Sequence, residues 1–279
     1  MSASANAISS RQGVTRTISI TSGKGGVGKS TMVANLATYL SRAGMRVLML
    51  DGDLGMSNLD IMFGRRATKS IRNVIFDGAK MEDIIQEIGP NIHLIPGGSG
   101  IYELQRLPLA ARQGIMDQVS QLPGHYDYLL IDTAPGIDDN VLYLNAAASE
   151  IVVVVTPDPS SLTDAYSLIK VLNQRCRENR FSVICNMVRD EREAMQVFQR
   201  LSEVADRFLC VSLVYRGFVP ADPSLRKATK LQQLALDYNP RSPASIAIGQ
   251  IGKKLSGFEY LHEVKGGIQF FWQQLVGVA

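Results

Sequence analysis

The sequence predicts an α/β fold in which a mostly parallel, twisted sheet carries helices on both faces, and three observations predict it. Short aliphatic or β-branched runs alternate with helix-length amphipathic segments over most of the chain. Several of those runs, Ile151 to Val155 among them, are apolar without alternation, as strands buried on both faces are. A glycine-rich loop, Gly23 to Ser30, joins the first such run to the first helical segment.

Taken in order, Thr17 to Ser22 is the first strand, and it leads through the glycine loop into a helix over Lys29 to Ala43. Val47 to Asp51 and Ile92 to Pro96 are the next two strands. A helix over Pro108 to Gln121 precedes the strand Tyr128 to Asp132, an apolar run ending on an acid, and a helix over Asp139 to Ala148 follows. Ile151 to Thr156, Phe181 to Asn186 and Leu209 to Tyr215 complete the strands, separated by helices over Ser160 to Glu178 and Glu191 to Arg207. Ser224 to Leu231 and Ser242 to Lys254 are helical, and Val264 to Val278 is a last amphipathic segment. No repeat or low-complexity linker divides the chain. The expected organisation is an arm over residues 1–15, one domain over 16–258 and a tail over 259–279.

Composition narrows the class. With 46% hydrophobic and 20% charged residues, the 279-residue chain has the material for a sizeable core, which excludes wholesale disorder. No apolar run approaches the ~18 residues of a membrane-spanning helix, and Met1 to Gly13 shows no secretory pattern, so a cytoplasmic protein is expected. Cys176, Cys185 and Cys210 are widely spaced and odd in number, which argues against a disulfide framework or a structural zinc site. A net charge of +3 identifies no nucleic-acid binder, and sequence-specific DNA binding is not expected. Arg175, Arg177 and Arg180, and Arg226, Lys227 and Lys230, read as solvated helix faces.

The loop Gly23-Lys24-Gly25-Gly26-Val27-Gly28-Lys29-Ser30 satisfies G-x-x-x-x-G-K-[ST] in the strand-to-helix context that a P-loop requires. Four glycines let the backbone curl with its N–H groups inward, at a helix N-terminus whose dipole also favours phosphate. Lys29 would reach the β- and γ-phosphates, and the Ser30 hydroxyl would ligate Mg²⁺. The apolar strand ending Leu129-Leu-Ile-Asp132 reads as a Walker B segment delivering Asp132 toward that metal, with Thr-Ala-Pro135-Gly136 after it as a second switch. Guanine-specific P-loop proteins carry N-K-x-D, whereas the corresponding strand end here is Asn186-Met187-Val188-Arg189, so the base is expected to be adenine and the nucleotide ATP.

A second lysine inside the loop, in Lys24-Gly-Gly-Val-Gly-Lys29-Ser-Thr31, makes the chain resemble the MinD/ParA family of deviant Walker A ATPases, over roughly Thr17 to Leu255. The resemblance implies an ATP-dependent homodimer in which Lys24 contacts phosphates in the other subunit; taken alone, Lys24 is equally a solvated loop charge. It also makes Asp51-Gly-Asp53-Leu-Gly-Met-Ser-Asn58 similar to the family's first switch. Asp53 then matches the carboxylate that orients the attacking water, Asp51 the one near the metal, and Asn58 a residue that responds to nucleotide state. By the same resemblance the nucleotide contacts are Gly25, Gly26, Val27, Gly28, Lys29, Ser30 and Thr31, with Asn186, Pro220 and Asp222 at the adenine. Pro-x-Asp before a helix is equally an ordinary capped start.

Within the family, Ser161 to Lys170, Asp206 to Leu209 and Gly217 to Ala228 are most similar to the flagellar-number regulators, the FlhG/FleN branch. That branch implies partners among the flagellar GTPase FlhF, flagellar switch components and a flagellar transcription activator. The N-terminal activator element that some members direct at FlhF is not found. In the tail, Val264, Ile268, Phe271, Trp272, Leu275 and Val276 recur at helical spacing, and the stripe resembles the family's C-terminal membrane-targeting helix. Its polar side is Gln269, Gln273 and Gln274 with only Lys265 nearby, so two uses stand: reversible attachment to the inner face of the cytoplasmic membrane, or packing on the chain's own domain or a partner. A ParA-like ATPase that binds DNA nonspecifically, and an iron–sulfur carrier needing paired cysteines, are the competing functions.

Overall fold

The computed structural model of the protein describes residues 14–53, 59–97, 103–104, 107–122, 124–257 and 267–277. The chain runs β1 (Arg16–Thr21), α1 (Lys29–Arg42), β2 (Val47–Gly52), α2 (Leu59–Met62), α3 (Ile71–Phe76), α4 (Met81–Ile84), β3 (Gln86–Gly89) and β4 (Ile92–Pro96). It continues through α5 (Leu109–Ser120), β5 (Tyr128–Thr133), α6 (Asp139–Ala147), β6 (Glu150–Val155), α7 (Pro159–Cys176) and β7 (Arg180–Val188). The last elements are α8 (Glu191–Phe208), β8 (Ser212–Pro220), α9 (Pro223–Lys230), α10 (Ala235–Tyr238), α11 (Pro243–Ser256) and α12 (Ile268–Val276).

Eight strands form one sheet in the order β3-β4-β2-β5-β1-β6-β7-β8, and every pairing is parallel except that of β3 with β4. The α/β class expected from the sequence is the one observed. Period-2 geometry sends alternate side chains of a strand to opposite faces. Val47 and Met49 therefore pack under α1 and α11, while Leu48 and Leu50 pack among α3, α4, α5 and α12. A third cluster, Ile151, Val153 and Val155 with Phe181 and Val183, lies beneath α7 and α8. Both faces are covered, which is why these strands show no polar alternation.

The differences from the expected elements have local causes. β3 is four residues long and pairs antiparallel at an edge, too short for a periodic signal. α2, α4 and α10 are single turns. Strand β8 begins and ends later than expected because Leu209 still caps α8, its N–H donating to the Ala205 carbonyl, while Phe218, Val219 and Pro220 pair with Cys185, Asn186 and Val188.

Of the tail's two expected uses, the structure shows the packed one: Phe271, Trp272 and Leu275, expected to face lipid, are fully buried against α5 and α6, and Ile268 is half-buried beside them. Phe271 and Trp272 meet edge to face at 5.8 Å between ring centroids. The stripe is as apolar as a core helix, and a groove between two helices of its own domain buries it as effectively as a bilayer would.

Candidate phosphate and magnesium site

The site lies at the carboxyl edge of β1, β2 and β5, the edge at which open α/β sheets place ligands. Between β1 and α1 the loop takes two left-handed turns, at Gly26 (φ 76°) and Gly28 (φ 94°), which side-chain-bearing residues rarely adopt. At Gly28 a Cβ would also lie 2.5 Å from the Asn186 amide nitrogen, so glycine is required there twice over. Val27 is buried and anchors the loop, Gly25 and Gly26 are exposed, and Gly28, Ser30 and Thr31 are half-buried.

Lys29 is only 7% exposed, and its ammonium donates to the Ser22 hydroxyl at 2.9 Å. Burial lowers its pKa, and the Asp132 and Asp53 carboxylates oppose that shift. In-register pairing of β2 with β5 sets Asp51 beside Asp132, both buried at the strand ends. Burial pushes the Asp132 carboxyl up to about 7, the Ser30 hydroxyl beside it pulls it back, and Asp51 adds to the upward push. Asp51 accepts from the Asp53 and Leu59 backbone N–H groups at 3.2 and 3.3 Å. Asn58 lies outside the described residues. The second switch rests on the loop: Gly136 donates its N–H to the Ser22 carbonyl at 3.0 Å, and Pro135 sits against Gly25.

The donor set fits magnesium. Asp132 Oδ1 is buried with no hydrogen-bond partner, a costly state for a carboxylate unless a cation or donor meets it. Among the described residues no three His, Cys, Asp or Glu side chains cluster closely enough to hold an ion unaided. Mg²⁺ characteristically takes one or two protein oxygens and completes its shell with phosphate and water. Ser30 and Asp132, with Asp51 alongside, would hold it, and the ion would neutralise charge on the phosphates.

Lys24 is not free in this chain. Its ammonium lies 2.6 Å from Asp158 Oδ2 and also contacts the Ser160 hydroxyl, so the loop is fastened to the first turn of α7. The Lys24 contact, aided by hydrogen bonds from Ser160, holds the Asp158 carboxyl down at about 2. Sequence reasoning missed Asp158; the signal available was its place before Pro159 and Ser160, where it caps α7.

The residues expected at the adenine make hydrogen bonds within the fold. Asn186 donates its amide to the Val27 carbonyl at 2.7 Å and accepts from the Met187 backbone N–H, so it braces the phosphate loop from β7. Asp222 accepts from the Ser224 and Ala244 N–H groups at 2.7 and 3.1 Å, tying α9 to α11. Burial raises its carboxyl, but those bonds outweigh the burial and hold it below its usual range. Asp222 caps α9, and Pro220 pairs with Val188 at the end of β8. Of the cysteines, Cys185 is buried in the core with its thiol pushed up to about 12 by desolvation, unsuited to thiolate ligation, while Cys210 is exposed.

A sheet edge bearing this loop, its buried lysine and two adjacent aspartates defines a P-loop nucleoside triphosphatase. A profile of the ParA group, described as NUBPL iron-transfer P-loop NTPase, matches residues 13–256. The chain belongs to the ParA/MinD family of P-loop ATPases. It is 37% identical to the antiactivator FleN of Pseudomonas aeruginosa, over 93% of this chain and 92% of that protein. It is 36% identical to the flagellum site-determining protein YlxH of Helicobacter pylori, over 95% and 91%. The solved septum site-determining protein MinD of Pyrococcus horikoshii, complexed with Mg-ADP, superposes with a TM-score of 0.64 at 28% identity, covering 86% of this chain and 96% of that one.

Proposed function

We propose that this chain is an ATP-dependent dimerising switch that regulates the number or placement of flagella, hydrolysing ATP to ADP and phosphate to time its release from partners and membrane. The observation that carries the reading is the second loop lysine, Lys24, in the glycine loop beside which Lys29, Asp51 and Asp132 converge. The likeness to FleN and YlxH, proteins named for flagellar control, supports the flagellar role. Partners of that role are the FlhF GTPase, a flagellar switch component or a flagellar transcription activator.

In this reading the inward N–H groups of the loop and Lys29 bind the phosphates, Ser30, Asp132 and Asp51 hold the magnesium, and Asp53 orients the attacking water. Lys24 exchanges Asp158 for a phosphate held by the second copy, so that each subunit completes its neighbour's site. That exchange trades a single carboxylate for the more highly charged triphosphate of the partner's nucleotide. Membrane attachment through residues 259–279 requires α12 to leave its groove. The buried Trp272 indole N–H has no acceptor there, which weakens the seat.

Size-exclusion chromatography with light scattering on Asp53→Ala, in ADP and in ATP, tests the reading. A dimer in ATP alone is the expected result; monomers in both nucleotides would overturn it.

A further inference from the structure

Positive charge is dense over residues 64–80. Residues 64–80 hold Arg65, Arg66, Lys69, Arg72 and Lys80 against a single acid, Asp77, a surplus of +4 in a chain whose total is +3. All the other residues together are therefore slightly acidic. Lys80 pairs with Glu82, but Arg65, Arg66, Lys69 and Arg72 are exposed and make no ion pair among the described residues. The nearest preceding acid, Asp60, has its carboxylate engaged by the Ile61 and Ala67 backbone N–H groups at 2.7 and 2.8 Å. Arg72 lies over the ring of Phe76, which is 55% exposed, so an aromatic edge accompanies the cations.

The patch shares a side of the sheet with the tail. Ile71 and Val74 of α3 belong to the same buried cluster as Phe271, Trp272 and Leu275 of α12. The polar positions of α12, Gln269, Gln273 and Gln274, carry no charge, so this helix alone has no means of recognising anionic lipid. Unpaired cations on the same side of the sheet as an apolar helix that lacks them match the division of labour that two-signal membrane attachment uses.

We propose that Arg65, Arg66, Lys69 and Arg72 form an electrostatic docking surface for an anionic bilayer, acting alongside α12. This inference rests on the membrane reading above, and it adds a site remote from the phosphate loop. Each Lys or Arg near an anionic surface contributes roughly fivefold in partitioning at moderate salt. Four together predict a preference for anionic over neutral vesicles on the order of 600-fold.

The test is sedimentation of the full chain, in Mg-ATP, with vesicles of phosphatidylcholine alone and of phosphatidylcholine mixed with phosphatidylglycerol. The wild type should prefer the anionic vesicles and lose that preference as salt rises. The combined Arg65→Gln, Arg66→Gln, Lys69→Gln, Arg72→Gln variant should bind both kinds as the wild type binds neutral ones, with vesicle-free ATPase turnover intact as the check on folding. A variant that keeps the anionic preference overturns the proposal while leaving the membrane reading standing. Wild-type protein that sediments with neither vesicle overturns both. A variant that sediments unchanged but loses binding to a duplex DNA probe assigns the patch to nucleic acid instead.

Discussion

The ammonium of Lys24 and the carboxylate of Asp158 lie 2.6 Å apart, across a separation of 134 residues, and so tie the phosphate loop to the start of α7. Both side chains are partly exposed, so water and salt screen the pair and it adds little to stability. Such a contact holds Lys24 in one place yet releases it to a stronger competitor. The pair thus joins a feature visible in the sequence to one created only by folding.

Asp158→Asn keeps an oxygen that can cap α7 but removes the charge opposing Lys24. It should leave stability close to wild type and lower the ATP concentration for half-maximal dimerisation. Light scattering across an ATP titration measures this, and an unchanged midpoint would show that the pair does not restrain dimerisation. Lys24→Ala should still bind nucleotide as a monomer and fail to dimerise.

Asp53→Ala should bind ATP and dimerise while turnover falls by about 10²–10⁴, the usual contribution of a positioned general base. Single-turnover phosphate release against nucleotide affinity separates these effects. Loss of affinity equal to loss of rate would give Asp53 a structural role.

The raised pKa of Asp132 fixes a pH dependence. Well below its ordinary 3.8 the carboxyl is protonated whether the chain is folded or not, so it contributes no pH-dependent term. As pH rises from there to about 7 the unfolded chain ionises first, and the metal-free fold loses stability across that window before levelling off. Magnesium with nucleotide pairs with the ionised form, so its stabilising effect should grow over the same range. Thermal melts with and without magnesium and ADP check both slopes.

Gly28→Ala meets a left-handed backbone and the Asn186 amide at once, and should cost about 1–3 kcal/mol while weakening nucleotide binding. Asn186→Ala removes the brace on the Val27 carbonyl and should lower nucleotide affinity without creating a clash. Equilibrium titration with a fluorescent nucleotide compares the two; normal affinity in both variants would make the loop self-supporting.

Trp272→Ala should destabilise the protein by about 3–5 kcal/mol, the cost of emptying a fully buried aromatic site. Urea unfolding followed in the far ultraviolet reads this out. A change below about 1 kcal/mol would mean that α12 spends little time in its groove.

Local order made much of the fold legible. The strands β2, β5 and β6 carry unbroken apolar runs, β1, β4 and β7 are rich in β-branched or aliphatic residues, and the phosphate loop is a local device whose glycines and Lys29 act within eight residues of one another. Where the signal failed, the structure depended on something distant or very short. β3 exists because β4 offers an edge, and β8 extends to Pro220 because β7 continues beside it.

What the sequence determined by itself is the phosphate chemistry: a curl of glycines, a lysine and a hydroxyl in fixed order, with aspartates at the ends of apolar strands. Tertiary structure alone decided that Asp51 stands beside Asp132, that Asn186 and Asp222 brace backbone, that Asp158 restrains Lys24, and that the apolar face of α12 lies inside. The physical reason is that local spacing specifies which groups a segment presents, whereas burial and pairing depend on which segments meet, and an apolar stripe carries no mark of what covers it.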